Sequence, residues 1–338
     1  MKKKKVLLIY TGGTIGMVKN HLTGRLEPVD FDNLLSQIPA LKKFNCRIDA
    51  LFFSVPIDSS DAGPETWLKL IKLIEKHYEK YDGFVILHGT DTMAYSASAL
   101  SFMIEDLQKP IVFTGSQLPL EMIRTDGKEN LITSIEIASS DKAPKEVCIY
   151  FEDLLLRGNR TTKFSSEHFD AFKSPNFPPL AEAGVHIEYN PKFYLPANRK
   201  KTQFHKTVSD KIAVITFYPG IREDQVTGVL ENENNKGIVL QTFGSGNIPN
   251  QDWLRRALDK AIQEGKLILN TTHCIDGGVE QGKYENSAIL SEVGAISGLD
   301  ISLEAAVTKM MFLLGTYSTA KAKRLLAEVL SGEMETNQ

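Results

Sequence analysis

Cysteine is scarce in this chain. Cys46, Cys148 and Cys274 are the only three in 338 residues, far apart and with no C-x-x-C pair. An odd, sparse set argues against a disulfide framework and fits a reducing compartment, so a cytoplasmic protein is the expectation. Long apolar runs are missing too. The run behind Lys2-Lys3-Lys4-Lys5 extends only from Val6 to Tyr10. A secretory segment needs roughly 7–15 apolar residues and a membrane span about 20. The lysines therefore read as the solvated start of a first strand, and no membrane partner is expected. Nor is there an excess of positive charge. A formal net charge of −3 gives no electrostatic case for nucleic acid. Several motifs are also absent: the phosphate-binding G-x-x-x-x-G-K-[ST], the zinc-binding H-E-x-x-H and the G-x-S-x-G elbow. The register G-x-G-x-x-G fails at its first position, Thr11, although Gly13 and Gly16 fit it. A dinucleotide site is left as a weak alternative.

What is present is an ordinary globular composition, 42% hydrophobic and 24% charged, with apolar material for one large domain or two smaller ones. Strand-like and helix-like periods alternate. Lys5 to Tyr10 reads as a buried strand. Asp30 can cap a short helix that ends before Pro39. Residues 47–55 read as a second strand. In the next helix Trp67, Leu70, Ile71, Ile74 and Tyr78 share one face, with Pro64 in the first turn. Residues 84–88 form a strand, followed by a helix with Ala97, Leu100 and Ile104 on one face. "PIVFTGS" and "DGKENLITSIEIASS" supply the next strand and helix. This rhythm argues an α/β fold with a mostly parallel sheet covered by helices. It breaks at 190–210, a polar stretch with two prolines, and resumes with strands in "KIAVITFYPG", "KGIVLQTFGSGN" and "KLILN", a helix near 250–264 and two closing helices near 302–315 and 318–331. The expected organisation is two doubly wound parallel-sheet domains, a larger one over 1–189 and a smaller one over 211–338, joined by the linker 190–210.

Two short stretches carry chemistry. Thr11-Gly12-Gly13-Thr14 sits where the first strand ends. Ligands of open α/β sheets bind beyond such carboxyl ends. Glycines let the backbone approach a ligand and turn its N–H groups inward, and a hydroxyl beside them is a candidate nucleophile facing an oxyanion site. A tight turn with two capping threonines reads equally well from this stretch alone. "FVILHGTDTM" repeats the layout: strand, Gly89, Thr90, Asp91, Thr92, helix. Asp91 could be merely the cap of that helix. Yet two strand–Gly–Thr turns in one sheet would face one crevice. A third strand end offers Asp58, Ser59 and Ser60, either a binding cluster for a charged amino-acid head group or an N-cap with an Asx-turn. A threonine needs a base, and none of the seven histidines falls in an obvious nucleophile–base pattern. A buried lysine serves that purpose elsewhere, and Lys163 follows an apolar run.

Together "YTGGTIGM", "ILHGTDTM", "VFTGSQLP", "RGNRTTK" and "GSGN" resemble, in order and spacing, the bacterial type I (cytoplasmic) L-asparaginases of the asparaginase/glutaminase family, over essentially the whole chain. The resemblance implies hydrolysis of L-asparagine to L-aspartate and ammonia, with no metal and no cofactor, through an acyl-threonine. It puts the family's nucleophile on Thr14 and its second threonine, aspartate and lysine on Thr90, Asp91 and Lys163. It puts the α-carboxylate ligand on Ser59 and the α-ammonium ligand on Asp91, with Asp58, Ser60, Gly89 and Ser116 also at the substrate. It implies an intimate homodimer, often paired into a tetramer, in which Asn247 completes the partner's site. Thr162 and Cys274 match positions that line a regulatory asparagine site in some members. Cys274 otherwise reads as a buried small hydrophobe. The chain departs from the family in the loop after the first strand, "MVKNHLTGRLEPVD". It lacks the tyrosine common there and has Arg25 near the expected place, with Gly24 as a candidate hinge. Glutaminase or mixed activity is a second reading. The amidase-like subunit of a tRNA amidotransferase is a third, disfavoured because the first strand starts near residue 5 and leaves no room for an added N-terminal domain.

Overall fold

The computed structural model describes residues 3–19, 26–28, 38–197 and 200–335. Asp30 with its helix, and the loop positions Gly24 and Arg25, lie outside the described residues. The chain forms two compact units, Met1–Lys206 and Thr207–Gln338.

The first unit is built on an eight-stranded sheet. Its strands in chain order are β1 (Lys4–Gly12), β2 (Cys46–Ile57), β3 (Gly83–Leu87), β4 (Ile111–Thr114), β5 (Val147–Phe151), β6 (Leu154–Arg157), β7 (Ala181–Ala183) and β8 (Ile187–Tyr189). In space they run β8-β7-β6-β5-β4-β3-β1-β2. The pairs from β2 to β5 are parallel, and β6, β7 and β8 extend one edge antiparallel. Reversed, the parallel part reads 2-1-3-4-5, an order whose crevice lies between the carboxyl ends of β1 and β3, where the winding changes direction. Val6 to Tyr10 are all buried, a continuous rather than alternating run, as expected of a parallel strand covered on both faces. Each such side chain contributes about 1.5–3 kcal/mol by leaving water.

Helices connect these strands. Helix α1 (Pro64–His77) starts on its proline and buries Trp67, Leu70, Ile71 and Ile74, while Tyr78 is buried in the short turn that follows. Helix α2 (Met93–Met103) is buried on nearly all sides. It ends one residue before the expected face member Ile104, which instead opens a two-residue strand. Helix α3 (Gly127–Ser139) precedes β5.

The polar stretch after residue 190 is more ordered than its composition suggests. A short turn covers Pro191–Phe193, and Gln203–Phe204 pairs with Ile104–Glu105. A buried ion pair holds the end of that turn and the residues that follow it. Arg157 Nε lies 2.7 Å from Glu146 Oε2, Arg157 Nη2 donates to the Phe193 carbonyl at 2.7 Å, and Glu146 Oε1 accepts from Leu195 N–H at 2.6 Å.

The second unit carries a parallel sheet, β9 (Ile212–Thr216), β10 (Gly237–Thr242), β11 (Leu267–Thr272) and β12 (Ile296–Ser297), in sequence order. Helices α4 (Glu223–Leu230), α5 (Asp252–Gln263) and α6 (Glu285–Val293) pack with Ile238 and Leu240 of β10 in one apolar cluster. Gly237 of the same strand faces the opposite way by the two-residue period. There a Cβ would stand 2.7 Å from Met310 Cγ, on α7 (Leu303–Thr316). Helix α8 (Thr319–Leu326) follows and is shorter than the expected 318–331. Among the described residues no helix is long and apolar enough to cross a membrane.

Candidate active site

Strands β1 and β3 are parallel neighbours with Tyr10 opposite Leu87, so Gly13-Thr14 and Gly89-Thr90 leave the sheet at the same edge. The glycines make the approach possible. Gly13 has φ +88°, and a Cβ there would stand 2.5 Å from both Cα and N of Gly89. A Cβ on Gly89 would stand 2.6 Å from Ser59 Oγ and 3.4 Å from Gly13 Cα. Only backbone without side chains lets the three strand ends meet. Thr14 opens a single helical turn, Thr14–Gly16, and is half-buried. Thr11 does not cap this turn. Its hydroxyl donates to the Leu87 carbonyl at 2.9 Å, pinning the end of β1 to β3.

Asp91 does not cap the following helix either, since the N-cap of α2 is Thr92 and no side chain caps it. The Asp91 carboxylate meets Lys163, whose Nζ lies 2.5 Å from Asp91 Oδ1 and donates to Thr90 Oγ1 at 2.8 Å. Lys163 comes from a two-residue ladder, Thr162–Lys163 against Phe172–Lys173. Its side chain is 18% exposed while that of Asp91 is 63% exposed. The ammonium is thus sheltered and the carboxylate open to a ligand.

The cluster after β2 divides in function. Asp58 Oδ1 accepts from both N–H and hydroxyl of Ser60, each at 2.9 Å, which is an Asx-turn capping residues 59–61. Ser59 is buried and lies against Gly89. Thr92 donates to the Ser59 carbonyl at 2.6 Å, which ties this turn to the start of α2.

Sequence reasoning missed Gln117, Asp126 and Asn130. Thr90 Oγ1 donates to Gln117 Oε1 at 3.2 Å, and Gln117 Nε2 donates to the His168 carbonyl at 3.1 Å. Because Thr90 also accepts from Lys163, its proton points to Gln117. The buried Asp126 carboxylate accepts the backbone N–H groups of Gln117 and Leu118, at 2.8 and 3.1 Å. Burial pushes this carboxyl up from its ordinary value, opposed by those two backbone donors. Asn130 donates to the Gly115 carbonyl at 3.1 Å. Nothing in the spacing of these residues marks them; only the adjacency of "GSQ" to a strand end hints at Gln117. Ser116, on the same loop, is buried with its hydroxyl unpartnered among the described residues.

The remaining candidates are Asn247, Thr162 and Cys274. Asn247 closes a loop in the second unit, where Phe243 and Asn247 form a bridge, and its buried Oδ1 has no partner among the described residues. Thr162 lies in the first unit and Cys274 in the second. Cys274 is exposed, not buried. It follows the carboxyl end of β11 on a loop, with its N–H bonded to Thr272 Oγ1 at 3.0 Å. Among the described residues no three His, Cys, Asp or Glu side chains cluster to hold a metal ion.

Residues 5–194 match the family model "Asparaginase, N-terminal", and residues 211–326 match "Glutaminase/Asparaginase C-terminal domain". L-asparaginase 1 of Escherichia coli K12 is 40% identical over 340 residues, covering 99% of both chains. The 60 kDa lysophospholipase of Mus musculus is 38% identical over 360 residues, which is 98% of this chain but 63% of that protein. The crystal structure of L-asparaginase I from Vibrio cholerae superposes with a TM-score of 0.91 at 38% identity, covering 99% of this chain and 100% of that one. Paired glycine turns at the β1/β3 crevice, both family segments in order and full-length relatives of this identity lead to one assignment: the chain belongs to the asparaginase family.

Proposed function

We propose that this protein is an L-asparagine amidohydrolase that releases ammonia and L-aspartate through an acyl-threonine. The observation that carries the reading is the meeting of Gly13-Thr14 with Gly89-Thr90-Asp91 beside Lys163. It puts hydroxyls, backbone donors, a carboxylate and an ammonium at one sheet edge.

In this reading Asp91, the more open member of its ion pair, takes the substrate α-ammonium, and Ser59 takes the α-carboxylate. Gly89 lines the floor, Asp58 and Ser60 hold the Ser59 turn in place, and Ser116 offers a further hydroxyl. Thr14 Oγ1 attacks the side-chain amide carbon. Backbone N–H groups of the two glycine turns stabilise the oxyanion. The proton from Thr14 goes to the departing nitrogen through the Thr90–Lys163–Asp91 group, ammonia leaves, and water then cleaves the acyl ester by the reverse sequence. Gln117 gives the Thr90 proton a fixed acceptor before substrate arrives. The protein works in the cytoplasm as a homodimer, alone or paired, with Asn247 facing the partner's substrate. Thr162 and Cys274 remain candidates for an effector site, and the exposure of Cys274 is compatible with that.

The test is ammonia release from L-asparagine and from L-glutamine, each titrated from micromolar to tens of millimolar. Turnover of asparagine is expected. One methylene is worth only about 1–3 kcal/mol of discrimination, so glutamine is expected to be slower by about 10–200-fold rather than inert. A sigmoidal asparagine curve supports the effector site, and a hyperbolic one argues against it. No release from either amide refutes the reading.

A further inference from the structure

His88 is the residue before Gly89 and has no role in the chemistry above. It is 1% exposed and held at both ring nitrogens. Nδ1 lies 2.8 Å from the Gly89 carbonyl oxygen. Nε2 lies 3.0 Å from the Ser96 hydroxyl of α2. That same oxygen takes the indole N–H of Trp67, on α1, at 3.0 Å. The protons follow from what each atom is able to do. A carbonyl oxygen only accepts, so Nδ1 carries a proton. Burial pushes the imidazole below its ordinary pKa, so the ring is neutral and Nε2 presents a lone pair. The indole N–H only donates, so Ser96 accepts it and turns its own hydrogen to Nε2. Three elements thus hold one tautomer.

We propose that His88 is a positioning residue: its Nδ1–H fixes the Gly89 carbonyl and thereby aims the Thr90 N–H into the crevice as an oxyanion donor. No described peptide bond is cis, and in a trans peptide the N–H points opposite to the C=O. With the carbonyl turned toward the buried ring, the N–H is turned away from it. Gly89 lies against Ser59 and Gly13, so this peptide borders the crevice. Trp67 and Ser96 act one step further back, by keeping the proton on Nδ1. The inference rests on the amidohydrolase reading.

Two measurements test it. The first is the tautomer of His88 in the wild-type chain, read by NMR with 15N-labelled histidine at neutral pH. A proton on Nδ1 alone is expected; a proton on Nε2, or an imidazolium, overturns the proposal whether or not any variant folds. The second is kinetic. His88→Phe keeps a ring beside Phe113, whose centroid is 5.9 Å away, but removes the donor. A fall in kcat of about tenfold to a hundredfold is expected, below the full loss of an oxyanion donor, with KM within about threefold. His88→Asn carries an amide N–H near the position of Nδ1 and is expected to recover most of that loss. An unchanged kcat in His88→Phe overturns the role, and so does a His88→Asn as slow as His88→Phe. These failures occur in variants while the wild type stays active, whereas failure of the functional reading silences the wild type as well.

Discussion

Lys163 reaches two acceptors, Thr90 Oγ1 at 2.8 Å and Asp91 Oδ1 at 2.5 Å. Its removal leaves both without their cation and, in the proposed mechanism, the departing nitrogen without a route for its proton. Lys163→Met is therefore expected to lower kcat by about 10²–10⁴-fold, measured as ammonia release at saturating asparagine; a change below tenfold removes it from the relay. His88 makes a prediction about pH. In the unfolded chain it titrates near about 6.5, and burial lowers that value in the fold. Below 6.5 the unfolded chain binds a proton that the fold refuses. This histidine's share of stability is thus full above about pH 6.5 and is lost as the pH falls toward the folded value. Denaturant midpoints between pH 7 and 5 are expected to fall more steeply for the wild type than for His88→Asn, and equal slopes contradict it. At this scale the strand–Gly–hydroxyl turns at Thr14 and at Thr90-Asp91 announce themselves locally in the sequence, and Ser59 stands out as part of an Asp-Ser-Ser cluster at a third strand end. Lys163 was only faintly marked, as a lysine after an apolar run, because it arrives from a ladder 72 residues beyond Asp91, and the family resemblance strengthened that weak local signal. Gln117 and Asp126 were silent because their effect depends on what lies opposite them in space.

At the scale of elements, the Arg157–Glu146 pair shows how a segment with the composition of a linker becomes part of a domain. Both side chains are nearly fully buried, 5% and 3% exposed, and both hold backbone of residues 193–195. Breaking one side strands a buried charge. Arg157→Met is expected to cost about 3–5 kcal/mol of stability, and replacing both by apolar residues much less, measured by denaturant unfolding; a double variant as unstable as the single would contradict the ion-pair account. The α/β alternation itself was legible, since the continuous apolar strands and the face of α1 follow from period alone, whereas α2, buried on nearly all sides, has no single face to show. The short pieces were not. The antiparallel strands β6 to β8 and the helices α4 and α6 are held by packing, and few residues in them repeat often enough to declare a period.

On the scale of the whole molecule, the fold creates its crevice by topology. Strand order 2-1-3-4-5 opens the sheet between β1 and β3, and the two glycine turns occupy that opening. The proposed dimer adds Asn247 from the second unit of a partner. If sites are shared in this way, the inactive variants Thr14→Ala and Asn247→Ala are expected to regain some turnover when refolded together, because mixed dimers contain one intact site. A mixture no more active than the sum of its parents contradicts a shared site.

The most direct test of the central claim, that the β1/β3 crevice hydrolyses asparagine through Thr14, compares ammonia and aspartate release by the wild type and by Thr14→Ala. Thr14 is half-buried at a sheet edge, so the variant is expected to fold with an unchanged circular dichroism spectrum and thermal midpoint. The account predicts equimolar ammonia and aspartate from the wild type and none above background from the variant. A Thr14→Ala chain that turns over asparagine at the wild-type rate would contradict it.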